Sequence, residues 1–255
     1  MELRVRVRGA AAGFAVLLGM LTASAAADQT NVAVAANFTE AANEIGAAFK
    51  AETGHEAVFS FGATGQLYTQ ITQDAPFEVF LSADNIRTVK AVDEGFGVKG
   101  SDFTYAIGRI VLWSADAALV KGEETLKTGT FAKIAMANPE TAPYGAAAVE
   151  AMKALGVYDG LQARIVQGTN IAQTYQFVDT GNAELGFVAL SQIAADDKGS
   201  RWVVPAELYT PIRQDAVLLK KGERSAAAKA FLDFLKGPAA AAVIEKYGYG
   251  AGSSN

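Results

Sequence analysis

Short apolar runs alternate with longer segments of helical spacing along most of the chain, and this alternation constrains the fold more than any single motif. "NVAVAAN" is brief and apolar, and "FTEAANEIGAAFKAETG" then places apolar residues at Phe38, Ala42, Ile45 and Phe49 before Gly54. The first pattern predicts a strand and the second an amphipathic helix with a glycine stop. "HEAVFSF" with "GQLYTQITQDA" repeats the pair. "FEVFLSA" with "DNIRTVKAVDEGF" repeats it again, with Asp84 as a candidate N-cap. Such a βαβαβα run argues for an α/β sheet with right-handed crossovers.

The pattern resumes after a change of texture. "YAIGRIVLWSA" reads as one long strand. "KIAMANP" reads as a strand ending in a turn, and "APYGAAAVEAMKALGVY" as a helix with Pro143 in its first turn. "RIVQGTN" and "IAQTYQFVDTGN" form another strand and helix, the latter closed by Gly181. "AELGFVALSQIA" runs from strand into a short helix. "RWVVPAELYTPIRQDAVLLKKG" predicts two strands around Pro205 and Pro211, and the last segment is helical, broken at Gly237-Pro238. Two βα groups with a helical return predict two α/β lobes, with crossings near Tyr105–Gly108 and Arg213–Leu218. The expected division is 28–107 plus 217–255 for the first lobe and 108–216 for the second. Two crossings make a hinge, and the cleft between lobes is a common place for a ligand.

The first 27 residues stand outside this grammar. Arg4, Arg6 and Arg8 precede an apolar stretch, Ala10 to Leu21, and Ala25-Ala26-Ala27 supplies small residues for cleavage. This is the pattern of a cleaved export signal, too short for the roughly 20 apolar residues of a membrane span. A periplasmic mature chain starting near Asp28 is expected. The net charge of −5 becomes −7 once three arginines and one glutamate leave with the peptide. An acidic chain lacks the basic footprint that nucleic acid requires. With no cysteine, disulfides, thiolate metal sites and cysteine nucleophiles are excluded.

Catalysis finds little material. His55 is the single histidine, sits at a turn, and reads as a surface residue. Zinc sites and Ser–His or Cys–His catalysis need more than that. An exported hydrolase using a carboxylate pair is the rival reading, although no pair stands out. "GATGQLY" lacks the lysine of a phosphate loop. What remains is four uncharged strand-to-helix turns: Ala35-Ala36-Asn37, Gly62-Ala63-Thr64-Gly65, Ala142-Pro143-Tyr144-Gly145 and Thr169-Asn170-Ile171. Each can present unsatisfied N–H donors and the positive end of a helix dipole. Taken singly, each is an ordinary cap. Converging on one cleft, they would hold an anion without any cation.

Six segments in order carry a resemblance: "VAVAANFTEAANEI", "SFGATGQLYTQI", "APFEVFLSAD", "NPETAPYGAAAVEAM", "GTNIAQTYQFVDTGNAELGFVALSQIA" and "AFLDFLKGPAAAAVIEKYGYG". Over nearly all the mature chain the sequence resembles the periplasmic molybdate-binding proteins of ABC importers, which have the type II periplasmic-binding-protein fold. The resemblance implies capture of molybdate, with tungstate, and delivery to an inner-membrane permease. It implies no cofactor, no enzyme activity, no direct metal ligands and a monomer. Another tetrahedral oxyanion such as sulfate is the alternative ligand. The implied oxyanion contacts are Ala36 and Asn37 at the first turn, and Ala63 and Thr64 at the second, where many members have serine. The third turn gives Tyr144, through its N–H or its hydroxyl. The fourth gives Ile171, where members often have valine. Some members carry a tyrosine ligand where this chain has Ala189, so Tyr144 is the candidate to replace that hydroxyl.

Overall fold

Residues 1, 28–195 and 197–252 are described by the computed structural model. The expected signal peptide lies, Met1 apart, outside the described residues. The three opening βα pairs form as β1 (Gln29–Ala35), α1 (Thr39–Thr53), β2 (Glu56–Gly62), α2 (Thr64–Thr72), β3 (Val79–Ser82) and α3 (Ile86–Asp93). β1 runs parallel to both β2 and β3. Lying between β3 and β2, it is covered on both faces. Val32 and Val34 pack with Phe38, Ile45, Phe49 and Phe231 on one side, while Ala33 meets Leu67 and Phe80 on the other, the period-2 alternation of a strand. Gly54 ends α1 in the left-handed conformation at φ 77°, which only glycine adopts without cost. The Asp84 carboxylate accepts the Arg87 N–H at 2.8 Å and so caps the start of α3, as expected.

β4 (Phe103–Gly108), β10 (Ile212–Leu218) and β11 (Gly250–Ala251) complete the first sheet in the order β11-β4-β10-β3-β1-β2. The second sheet contains β5 (Ile110–Ser114), β6 (Ile134–Ala137), β7 (Ile165–Gly168), β8 (Leu185–Ala189) and β9 (Ser200–Val203), ordered β7-β6-β8-β5-β9. Its helices are α4 (Glu124–Thr128), α5 (Pro143–Ala154), α6 (Tyr158–Leu161), α7 (Ile171–Asp179) and α8 (Leu190–Ile193). The chain closes with α9 (Ala226–Leu235) and α10 (Pro238–Lys246), which pack on the first sheet's core through Phe231, Leu235 and Ile244.

Two expectations change at the hinge. "YAIGRIVLWSA" is two strands in different sheets: β4 ends at Gly108, β5 begins at Ile110, and Arg109 alone separates them. The return crossing lies between Val203 and Ile212. Residues 212–216, expected in the second lobe, belong to the first sheet, where Ile212 pairs with Gly108 and Gln214 with Ala106. Pro205 and Pro211 lie in this connection, and proline, which lacks a donor, interrupts a ladder where the chain changes sheets.

Candidate functional site

Four parallel strands, β1 and β2 in one lobe and β6 and β7 in the other, end at the same interlobe space. The turns that follow them line one small cavity of about 10 Å3. That is near the lower limit for a single water, and far from the several hundred Å3 of an organic-ligand pocket. All six predicted contact residues, Ala36, Asn37, Ala63, Thr64, Tyr144 and Ile171, line it, and alanines, a glycine and Pro143 fill the rest. The small side chains let the lobes approach closely. Ala35, Ala36, Ala63 and Ala83 of the first lobe share an apolar cluster with Tyr144, Ile171 and Ala189 of the second.

The donors follow from how each helix begins. Ala63 and Ala142 occupy the N-cap positions of α2 and α5 and offer no side-chain acceptor, where Ser, Thr, Asn or Asp is the usual choice. Pro143 opens α5 without an N–H, so Tyr144 carries its first donor. In α7 the Asn170 side chain accepts the Gln173 N–H at 2.9 Å and leaves the Ile171 N–H uncommitted. The backbone N–H groups of Asn37, Thr64, Tyr144 and Ile171 have no acceptor among the described residues, and all four residues are buried. Orphaned buried N–H groups are rare in folded proteins and call for a partner. The positive ends of α2, α5 and α7 add to the field at this point.

One hydroxyl joins them. Thr64 Oγ1 accepts the Ala83 N–H at 3.0 Å, and its own proton is given to no acceptor among the described residues. No charged residue lines the cavity. Arg87 stands at the lip, ion-paired to Asp84, and its Nη2 donates across the cleft to Glu140 O at 2.9 Å. Beside it the Gly65 N–H donates to Thr141 O at 2.8 Å. The lobes are thus closed, with hydrogen bonds across the lip.

Two side chains are committed elsewhere. Asn37 Nδ2 donates to Gln214 Oε1 at 2.8 Å and to the Tyr249 hydroxyl at 2.9 Å, so its N–H is the donor left for a ligand. The Tyr144 hydroxyl is buried, which raises its pKa well above the ordinary phenol range. It lies over Gly108, where a Cβ would collide with it and come within 2.9 Å of Gln214 Nε2. The hydroxyl therefore serves the hinge, and the N–H is the free donor of Tyr144. Ala189 is fully buried, its N–H held by Gln192 Oε1 at 2.9 Å, while Gln192 Nε2 grips Ile171 O at 3.0 Å. Trp113 and Trp202 sit on adjacent strands of the second sheet, outside the cavity wall. His55 lies at a turn, accepting the Asp28 N–H at 3.1 Å.

Sequence reasoning did not single out Ser191, Gln192, Gln214 or Tyr249, which hydrogen-bond to the first or the fourth turn from outside the cavity wall. The one signal for Tyr249 was its setting in "YGYG", an aromatic between two glycines close to the chain end.

Comparison with known proteins bears on this geometry. The family described as bacterial extracellular solute-binding protein matches residues 30–250. A molybdate-binding protein ModA of Rhodobacter capsulatus is 56% identical over 243 residues, covering 95% of this chain and 96% of its own length. A molybdate-binding protein ModA of Azotobacter vinelandii is 52% identical over 91% of this chain and 94% of its own. A solved periplasmic molybdate-binding protein of Azotobacter vinelandii superposes with a TM-score of 0.83 at 41% identity, covering 86% of this chain and 98% of that one.

Proposed function

Since the chain belongs to the bacterial extracellular solute-binding proteins, and within them to the molybdate-binding proteins, we propose that it captures molybdate, and tungstate with it, in the interlobe cavity and delivers it to the permease of an ABC importer. The observation that carries this reading is the convergence of four buried N–H groups without acceptors, on Asn37, Thr64, Tyr144 and Ile171, around a cavity free of charged side chains. A tetrahedral dianion supplies the acceptors that those donors lack. Ala36 and Ala63 contribute wall and backbone. The Thr64 hydroxyl adds a charge-assisted hydrogen bond, stronger than a neutral one. Closing the lobes around the anion gives the permease a shape that differs from the empty form. Capture and release make or break no covalent bond, so the site needs neither a catalytic residue nor a cofactor.

The remaining parts of the reading follow from the same role. Residues 1–27 export the chain and are removed, and the mature protein works in the periplasm as a monomer. Titration calorimetry of the apo protein with molybdate, tungstate, sulfate and phosphate tests the function. Saturable molybdate binding is the expected result, and heat from none of the four anions would sink the reading.

A further inference from the structure

Behind the cavity a single phenol ties a first-lobe turn to the second lobe. Tyr249 is 7% exposed and belongs to the first lobe, its ring edge-on to Phe38 with centroids 5.3 Å apart. Its hydroxyl accepts from Asn37 Nδ2 at 2.9 Å and lies 2.8 Å from Asn37 O and 3.0 Å from Ser191 Oγ. The buried Tyr144 phenol lies close enough to interact with it electrostatically. Ser191 and Tyr144 are both second-lobe residues, at the starts of α8 and α5. Ser191 Oγ in turn donates to Asn37 O at 2.7 Å, so the carbonyl of a first-lobe turn is held from the second lobe. The preceding residue, Gly248, has φ +76°, and a Cβ there would stand 2.9 Å from Leu190 Cδ2. The backbone that aims Tyr249 is thus itself packed against the second lobe.

We propose that Tyr249 is a positioning residue that latches the closed form, holding the Asn37 peptide of the first lobe against Ser191 of the second so that the Asn37 N–H points at the bound oxyanion. One hydroxyl can meet these partners together. It accepts from Asn37 Nδ2 and donates its single proton to Asn37 O or Ser191 Oγ. Burial raises its pKa, so it stays a neutral phenol at physiological pH and adds no negative charge beside an anion. A contact that forms as the lobes close lowers the energy of the closed complex, and its loss therefore shows in release rather than capture.

This inference rests on the oxyanion reading, and the test separates the two. Tyr249→Phe keeps the ring and removes the hydroxyl; Ser191→Ala removes the second-lobe partner. Wild type and both variants are loaded with radiolabelled molybdate and chased with excess unlabelled molybdate, and association is followed separately. Each variant is expected to release molybdate about 10-fold faster, on the scale of one lost buried hydrogen bond, with association within about 2-fold of wild type. The double variant should release less than the product of the two single effects. A purely structural role for the hydroxyl would lower the apo melting temperature by more than about 4 °C and leave release from the folded fraction unchanged. That pattern, or wild-type release from folded Tyr249→Phe and Ser191→Ala, overturns the latch while the function stands. A wild-type protein that binds no molybdate overturns both.

Discussion

Thr64 has two hydrogen-bonding duties for one hydroxyl: its oxygen holds the Ala83 N–H at 3.0 Å, and its proton is available to the anion. Thr64→Ala removes both. The lost charge-assisted bond, about 1.5–3 kcal/mol, should weaken molybdate binding roughly 10- to 150-fold. The stranded Ala83 N–H should cost about 1–3 kcal/mol of stability as well. Thr64→Ser preserves both bonds and should restore affinity and urea midpoint together. Calorimetry and urea unfolding check this; a folded Thr64→Ala that binds like wild type would remove Thr64 from the site. Thr64 was legible as a candidate because a hydroxyl at the start of a helix after a strand is a local pattern. The partnership with Ala83 was not. Nor were the bonds of Ser191 and Tyr249 to the Asn37 carbonyl, which span 154 and 212 positions. Residue spacing reports what shares a helix or strand face, whereas these contacts join segments that meet only in the folded chain, and that of Ser191 also needs the two lobes together.

At the scale of elements, periodicity placed the longer strands and helices but not the short α4, α6 and β11, and its failure at "YAIGRIVLWSA" is instructive. The run is apolar apart from Arg109 and Ser114, and one charge between two apolar stretches does not by itself say that the sheets part there. Gly108 ends β4 beneath the Tyr144 hydroxyl of α5. The missing Cβ is what admits a second-lobe side chain to a first-lobe strand. Gly108→Ala should therefore oppose closure at an overpacking cost of about 1–3 kcal/mol, weakening molybdate roughly 5- to 150-fold. Adding Tyr144→Phe removes the nearest colliding atom and should recover part of the loss, the rest being due to Gln214 Nε2, 2.9 Å from the added Cβ. Binding by Gly108→Ala at wild-type strength would show that Tyr144 does not press on this strand in the bound form. The uncapped starts of α2 and α5 convey a related lesson. The alanines at 63 and 142 were visible, but that their helices lack any other cap and point at one cavity is a fact of the assembled sheets.

For the whole molecule, hydrogen bonds across the lip from Gly65 and Arg87 and a cavity of about 10 Å3 mean that an ion enters only when the lobes part. Two crossings, at Arg109 and between Val203 and Ile212, permit that motion as near-rigid bodies. Small-angle scattering should give a smaller radius of gyration with molybdate than without; identical curves at calorimetric saturation would rule out hinge closure. The closed site also decides which anions are refused. Its wall has no Asp or Glu, and the groups it offers are donors. Phosphate near neutral pH still carries a proton, and a buried O–H facing other hydrogens loses about 1–3 kcal/mol or more. Molybdate, tungstate and sulfate bring no such proton and make the same hydrogen-bond demand, so size separates them. Donors fixed on two lobes at the distance that suits long metal–oxygen bonds cannot all reach the shorter sulfate without further closure, which the packed alanines at 35, 36, 63 and 83 resist. Molybdate and tungstate should therefore bind with similar affinity, sulfate far more weakly, and phosphate not measurably in the same titration. Sulfate binding as tightly as molybdate would mean that the donors follow the anion inward and that size does not select. Tight phosphate binding would require a carboxylate acceptor at the cavity, which this wall does not provide.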